Sequence, residues 1–325
     1  MSHSRSSALD RPIFVVGHPR SGTTLLASML GRHPDIVSTP ESLYLNMVRF
    51  MVAPALSRGA DAVLKTIENS PMRFLVLDRD RLLAALKALD VLDECSVFQV
   101  VLEEFRAADG KPRLLEKTPL HLRGMDELFE WFPDARMLWI MRDGRACVAS
   151  LIKVDWATSD PVALAWQWVR NVSMGRMLAA EWPEQVHMVR YEDLIADAQS
   201  AMPPVMEFLE VAPSEAIFDH DREVRTVKPT ETSWKGNVGR PLMPGRAEAW
   251  RKDLSPEVIL ELETIMGPLL TEYGYELSAG ATPAAAGSLT GRLRTTMLFS
   301  DPGLRLQRCI RDLSARLTAR LKYRP

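Results

Sequence analysis

An α/β fold, a parallel sheet flanked by helices, is predicted by three observations. Short apolar runs rich in β-favouring residues alternate with helical stretches along most of the 325 residues. The first run, Ile13–Val16, leads through Gly17 and a loop shaped by Pro19 and Gly22 into a helix over Thr23–Gly31, which Gly31 can cap. A later run, Arg136–Met141, enters a second strand–loop–helix junction in RDGRACVAS.

The remaining elements follow in order. Ile36-Val37 reads as a short strand, and Thr39-Pro40-Glu41 as a helix start with Thr39 as N-cap, Pro40 next and Glu41 in the first turn. Residues 43–108 are mostly helical in pattern, with Leu82, Leu83, Leu86 and Leu89 on one face. Arg113–Glu116 is a strand that sets Lys117 just past its carboxyl end, where ligands gather in open parallel sheets. A helix is expected from about Leu122 to Trp131 and another over Val162–Trp182. Val186–Tyr191 is a strand, and Glu192-Asp193 opens a helix reaching Val211. Residues 222–244, with Pro229, Gly236, Gly239, Pro241 and Pro244, read as loop, and Trp250–Gly274 as the last helix of the body. Strands alternating with helices imply right-handed crossovers.

Composition bounds the function. A chain with 46% hydrophobic and 25% charged residues builds one large domain or two modest ones. The cysteines Cys95, Cys147 and Cys309 are scattered and odd in number, which argues for a reduced compartment and no structural metal site. Residues 1–11 are expected to be a flexible N-terminus without an apolar leader, and no run is long enough to cross a bilayer, so a soluble cytoplasmic protein is expected. Residues 279–290 read as a linker. From Arg292 onward nine Lys/Arg face two Asp/Glu, so this tail carries +7 and the preceding chain −9 of the overall −2. An acidic body argues against nucleic acid as a partner. Within the tail, taken as 291–325, Leu306, Ile310, Leu313, Leu317 and Leu321 form one apolar face of a basic amphipathic helix, expected to dock on the body, join a homodimer or touch an anionic membrane.

The segment GHPRSGTT places Gly17, Gly22 and Thr24 as in the Walker A P-loop GxxxxGK[ST], but Thr23 stands where the lysine belongs. That lysine reaches the terminal phosphates of a nucleoside triphosphate, and the only cation inside this loop is Arg20. Free N–H groups and the positive end of the helix dipole still make an anion site. PRSGTTLL resembles the 5′-phosphosulfate loop of sulfotransferases that use 3′-phosphoadenosine 5′-phosphosulfate (PAPS), in the style of the tyrosylprotein sulfotransferases and their bacterial relatives. The family's second motif, an arginine at a strand end and a serine eight residues later, falls on Arg142 and Ser150. A guanidinium and a hydroxyl at a helix start suit a 3′-phosphate dianion. RYEDL and WRKDLSPE…YGYEL are similar to later family segments, and the resemblance covers most of residues 12–276.

The resemblance implies a sulfotransferase-like P-loop domain over 12–278, with inserted helices walling the acceptor site. It implies PAPS as co-substrate and no metal; no cluster of His, Cys and acids has metal-ligand spacing. The backbone of Ser21, Gly22, Thr23 and Thr24, with Arg20, is expected to take the departing phosphate's charge, and Lys117 the bridging and sulfuryl oxygens. Glu41 matches the family's general base, at the same distance after HPDI, while a first-turn acid favoured by the helix dipole is the alternative. His121, four residues after Lys117, is the second candidate, although its spacing departs from that of the histidine-dependent relatives. Tyr191 matches a tyrosine that contacts the nucleotide, and Lys235 in SWKGNVG a late loop that covers it. The competing classes are a P-loop kinase, with Asp143 as a Walker B acid, and a non-catalytic nucleotide binder. The acceptor is a hydroxyl of unspecified class.

Overall fold

The computed structural model describes Leu9, residues 11–219 and residues 244–278. Its sheet contains β1 (Ile13–Gly17), β2 (Ile36–Ser38), β3 (Arg113–Lys117), β4 (Arg136–Met141) and β5 (Val186–Arg190), all parallel, in the order β2-β3-β1-β4-β5. Val15 pairs with Lys117 and Gly17 with Ile140, so the carboxyl ends of β1, β3 and β4 open on one edge.

Each strand divides its side chains between two apolar layers. Phe14 and Val16 of β1 join Trp139 of β4 and Trp168, whereas Ile13 and Val15 join Leu138, Ile140 and Leu26. Both faces are covered, which is why β1 and β4 read as unbroken apolar runs rather than alternating ones. α1 (Thr23–Gly31), α9 (Tyr191–Ala196) and α10 (Ala198–Leu209) line one layer. α6 (Met125–Trp131), α7 (Gly144–Leu151) and α8 (Pro161–Glu181) line the other. Between β2 and β3 lie the inserted helices α2 (Arg49–Leu56), α3 (Ala60–Glu68), α4 (Arg79–Lys87) and α5 (Glu94–Asp109). Leu82 and Leu86 of α4 are buried, with Leu83 and Leu89 packed beside them, as the spacing predicted. Arg49 ties the insertion to α6 through Glu127 at 2.6 Å.

Several boundaries differ from the sequence reading, each for a physical reason. Thr39-Pro40-Glu41 is not a helix start. Thr39 N–H instead donates to the Leu115 carbonyl at 2.9 Å, and Leu43 takes a left-handed φ of 54° before a π-helical turn at Tyr44–Val48. Gly31 remains the last residue of α1, and Arg32 caps it in right-handed conformation. Pairing in β5 ends with Arg190 opposite Met141, so Tyr191 opens α9 instead of closing the strand. The helix expected to reach Val211 breaks at Asp197, whose carboxylate caps α10 through Ser200 N–H. The last helix splits into Trp250–Asp253 and Pro256–Glu272, because Ser255 caps a new start with Pro256 behind it. The stretch before α6 is a 3₁₀ segment, Pro119–Gly124.

Cys95 and Cys147 are free thiols. No helix among the described residues is long and apolar enough to cross a membrane. Residues 1–8 and 10, the loop at 220–243 with Lys235, the linker at 279–290 and the tail at 291–325 lie outside the described residues.

Packing of α8 on β4 depends on Gly175. A Cβ there would sit 2.2 Å from Trp139 Cε2, inside a buried, rigid ring. Gly175→Ala is therefore expected to destabilise the protein by about 1–3 kcal/mol through overpacking, read as a lower midpoint in urea unfolding.

Candidate active site

The loop between β1 and α1 presents an uncapped helix start. Gly22 occupies the N-cap position at φ 103°, no side chain caps it, and the first turn holds no acid, so the positive helix end is left for an anion. A Cβ at Gly22 would lie 2.4 Å from Tyr191 Cδ2, so the tyrosine ring packs where only glycine fits. Arg20 is also left-handed, at φ 71°. Its carbonyl accepts from Arg142 Nη1 at 2.8 Å, and its Nε donates to Ser150 Oγ at 3.0 Å. The Arg142 guanidinium stacks on the Tyr191 ring at 4.2 Å. Two buried donors here, Ser21 Oγ and Arg142 Nε, have no hydrogen-bond partner. Burial, and then the charge of Arg142, push the Arg20 guanidinium below its ordinary value, with Arg246 adding to the effect. The structure thus brings together Arg20, Ser21, Gly22, Thr23, Thr24, Arg142, Ser150 and Tyr191 at the loop.

Lys117 closes β3 with a fully buried side chain, and its ammonium meets Glu41 Oε1 at 2.7 Å. A buried ammonium without an anion is prohibitively costly, so this carboxylate is held by a charge. Because residues 39–43 are not helical, the dipole explanation for Glu41 falls away. The carboxylate keeps 16% exposure, which leaves it reachable from solvent.

His121 is engaged on both ring nitrogens and fully buried. Nε2 accepts from Leu45 N–H at 3.2 Å, and Nδ1 faces Glu116 Oε2 at 3.0 Å. Glu116 Oε1 accepts from Ser42 Oγ and Thr118 Oγ1. Burial alone would raise the Glu116 carboxyl, but His121 and these hydroxyls outweigh it and hold the group below its ordinary value. His121 is thus held on both ring nitrogens by groups of the protein interior.

Sequence reasoning missed three networks, because most of their partners are distant in the chain. Arg145 is buried and grips both oxygens of Asp143, at 3.0 and 2.7 Å. It also binds Glu263 and the Glu276 carbonyl and lies over the Trp250 ring. Asp143 in turn caps α7. Glu192 accepts from Asp143 N–H at 3.0 Å and Tyr275 O–H at 2.9 Å, while burial pushes its carboxyl up. In the phosphate loop, Asn171 Nδ2 lies 2.9 Å from His18 Nδ1, and Asn171 Oδ1 accepts from Arg123 Nε. Burial, then Arg123 and Arg170, push the His18 imidazole down to about 3. Among the described residues no group of three or more His, Cys, Asp and Glu is arranged to hold a metal.

The structural assignment of His121 has a measurable consequence. His121→Ala strands the Glu116 carboxylate in the core, so a stability loss of about 3 kcal/mol or more is expected in urea unfolding. A variant as stable as the parent, with turnover abolished, contradicts the assignment.

A profile of the sulfotransferase family matches residues 12–215. The nodulation protein NoeE of Sinorhizobium fredii is 26% identical over 300 residues, covering 84% of this chain and 68% of NoeE. The protein-tyrosine sulfotransferase of Drosophila melanogaster is 27% identical over 277 residues, covering 81% of this chain but only 51% of the fly protein. Human protein-tyrosine sulfotransferase 1 is 28% identical over 281 residues, 82% of this chain and 70% of that protein. Among solved structures, the sulfotransferase domain from the curacin biosynthetic pathway shares the fold with a TM-score of 0.62 at 20% identity, over 83% of this chain and 99% of that domain. The sulfotransferase domain of the Synechococcus PCC 7002 olefin synthase gives 0.60 at 20% identity, over 83% of this chain and 96% of that domain. With the profile spanning the phosphate loop, the strand-end lysine and the Arg142–Ser150 junction, the chain belongs to the sulfotransferase family.

Proposed function

We propose that this transferase moves a sulfuryl group from PAPS to an acceptor hydroxyl by in-line transfer, with Glu41 as general base. The observation that carries the reading is the 2.7 Å Lys117–Glu41 pair, a buried cation and a reachable carboxylate on the sheet edge that holds the phosphate loop. Transfer builds charge on the departing phosphate and needs a proton removed from the acceptor. A cation for sulfuryl oxygens beside a proton acceptor answers both demands.

The residues present fit the donor. The uncapped N–H groups over Gly22, Thr23 and Thr24, with Arg20, suit a 5′-phosphosulfate, and the orphaned Ser21 Oγ is a further donor there. Arg142 and Ser150 suit the 3′-phosphate: Arg142 Nε has no partner, and Ser150 accepts from Arg20, leaving its O–H to donate. Stacking on Tyr191 keeps the Arg142 fork in one orientation before any ligand arrives. Preorganised donors of this kind contribute about 3 kcal/mol each when aimed at developing charge. Lys117 offers its ammonium to the sulfuryl oxygens beside the Glu41 carboxylate that accepts the proton.

The kinase alternative is disfavoured by Asp143. Both of its oxygens are held by Arg145 in the protein interior, so it is not an open strand-end acid of the Walker B kind. A nucleotide binder without chemistry would not require a carboxylate paired to a buried lysine beside the loop.

Two measurements test the reading. Glu41→Gln keeps the shape but cannot take a proton; turnover is expected to fall roughly 10²-fold or more with nucleotide affinity nearly unchanged. Undiminished turnover removes Glu41 from the base role. Calorimetry should also show adenosine 3′,5′-bisphosphate binding more tightly than AMP by about 2–4 kcal/mol, a preference that Arg142→Ala largely erases. Equal affinities in the parent protein sink the assignment of the 3′-phosphate to Arg142 and Ser150.

A further inference from the structure

Arg142 stands just beyond β4, where no strand partner fixes the backbone. Pairing of β4 with β5 ends at Met141 opposite Arg190, and α7 begins only at Gly144. The peptide unit between Arg142 and Asp143 therefore falls in the gap between sheet and helix. Both of its hydrogen-bonding groups are nevertheless taken, and by side chains. The Arg142 carbonyl accepts from the indole Nε1 of Trp168 at 3.1 Å. The Asp143 N–H donates to Glu192 Oε1 at 3.0 Å. Trp168 lies within α8 and is fully buried, and Glu192 is the second residue of α9. The other carboxylate oxygen, Oε2, accepts from the Tyr275 hydroxyl at 2.9 Å and lies 3.8 Å from Arg190 Nε. One peptide plane is thus held from two helices, and one of its two holders is itself anchored.

A backbone group away from water needs some partner, and any donor or acceptor meets that need. The direction of the partners does more here. With the carbonyl and the N–H both engaged, the plane that carries the Arg142 backbone cannot turn, and the bond from its Cα to its side chain keeps one heading. The far end of the side chain is held separately. Its Nη1 donates to the Arg20 carbonyl at 2.8 Å, and the guanidinium stacks on the Tyr191 ring at 4.2 Å. A long side chain that is ordinarily mobile is fixed at base and tip, with its buried Nε left without a hydrogen-bond partner. Charge alone would draw a phosphate on either ribose hydroxyl. A rigid fork selects by position.

We propose that Trp168 and Glu192 are positioning residues: by gripping the two ends of the Arg142–Asp143 peptide they aim the Arg142 guanidinium, so that the site selects a nucleotide phosphorylated at the 3′ position over its 2′ isomer. The proposal rests on the reading of Arg142 as the 3′-phosphate ligand. Neither residue meets the nucleotide phosphate itself, since Trp168 is enclosed and both Glu192 oxygens are engaged within the protein. Tyr275 acts one step further out, by holding the Glu192 carboxylate in place.

The test is calorimetry on the full chain with adenosine 3′,5′-bisphosphate, adenosine 2′,5′-bisphosphate and AMP. The two bisphosphates carry the same charge and differ only in where the second phosphate sits, so their affinity ratio reads the aim of the fork. In the parent protein the 3′ isomer is expected to bind about tenfold or more tightly than the 2′ isomer. Trp168→Phe deletes the indole donor and Glu192→Ala the acceptor, and each is expected to lower that ratio about fivefold or more. AMP affinity should be unchanged in both. Glu192→Gln keeps an oxygen for the Asp143 N–H and should restore the parent ratio. Tyr275→Phe removes only one hydroxyl and should lower the ratio by less, which keeps the test decisive if a core variant does not fold. A ratio unchanged in every variant overturns the positioning role and leaves Arg142 as the 3′-phosphate ligand. An equal loss for all three nucleotides also overturns it, because the grip then serves stability alone. A parent that binds both bisphosphates alike, and both more tightly than AMP, overturns the positioning role by itself. If the parent binds AMP as tightly as adenosine 3′,5′-bisphosphate, the reading of Arg142 falls and the positioning role falls with it.

Discussion

The Lys117 ammonium is the constraint on which the site depends. It closes β3 with no exposed surface, and a charge in that position demands an anion. Glu41 supplies one, and to do so the chain between β2 and the first inserted helix abandons a good local helix start. The Thr39 amide continues the pairing toward β3, and Leu43 turns left-handed before the next helical turn. The surrounding polar core follows the same logic. Glu116, next to Lys117 in β3, is hydrogen-bonded inward by His121, Thr118 and Ser42, so adjacent strand residues send one side chain to the core and one to the edge.

A second constraint links the loop to the far end of the chain. Arg142 holds the Arg20 carbonyl and rests on Tyr191, while the next residue, Asp143, is gripped by Arg145. Arg145 reaches on to Glu263 and to the backbone at Glu276. The orientation of the Arg142 fork is thereby coupled to the helix Pro256–Glu272, more than a hundred residues later. Buried charge networks of this sort hold one geometry well and tolerate the removal of one partner badly.

Where local pattern and tertiary demand agree, the sequence is legible. β1 and β4 are recovered within a residue because both sheet faces are covered and their runs are uniformly apolar. The strand–loop–helix junctions that carry Arg20 to Thr24 and the Arg142–Ser150 pair are legible because strand end, loop and helix start fall within a short span. Thr39-Pro40-Glu41 carries a sound capping signal, yet a charge 76 residues away overrides it. Tyr191 fails differently, since the end of β5 is set by where Met141 stops offering a partner. The contact between His18 and Asn171 spans 153 positions, and nothing in either neighbourhood announces it. Asp143 reads as a Walker B acid, and only the fold shows Arg145 claiming it.

The account stands or falls on which group is transferred. The most direct measurement offers the protein radiosulfur-labelled PAPS and, in parallel, radiophosphorus-labelled ATP, each with a panel of hydroxyl acceptors, in buffer with magnesium and in buffer with a chelator. The account predicts label moving from PAPS to an acceptor equally well in both buffers, and none from ATP. Magnesium-dependent transfer of phosphorus from ATP, with PAPS left intact, would contradict it.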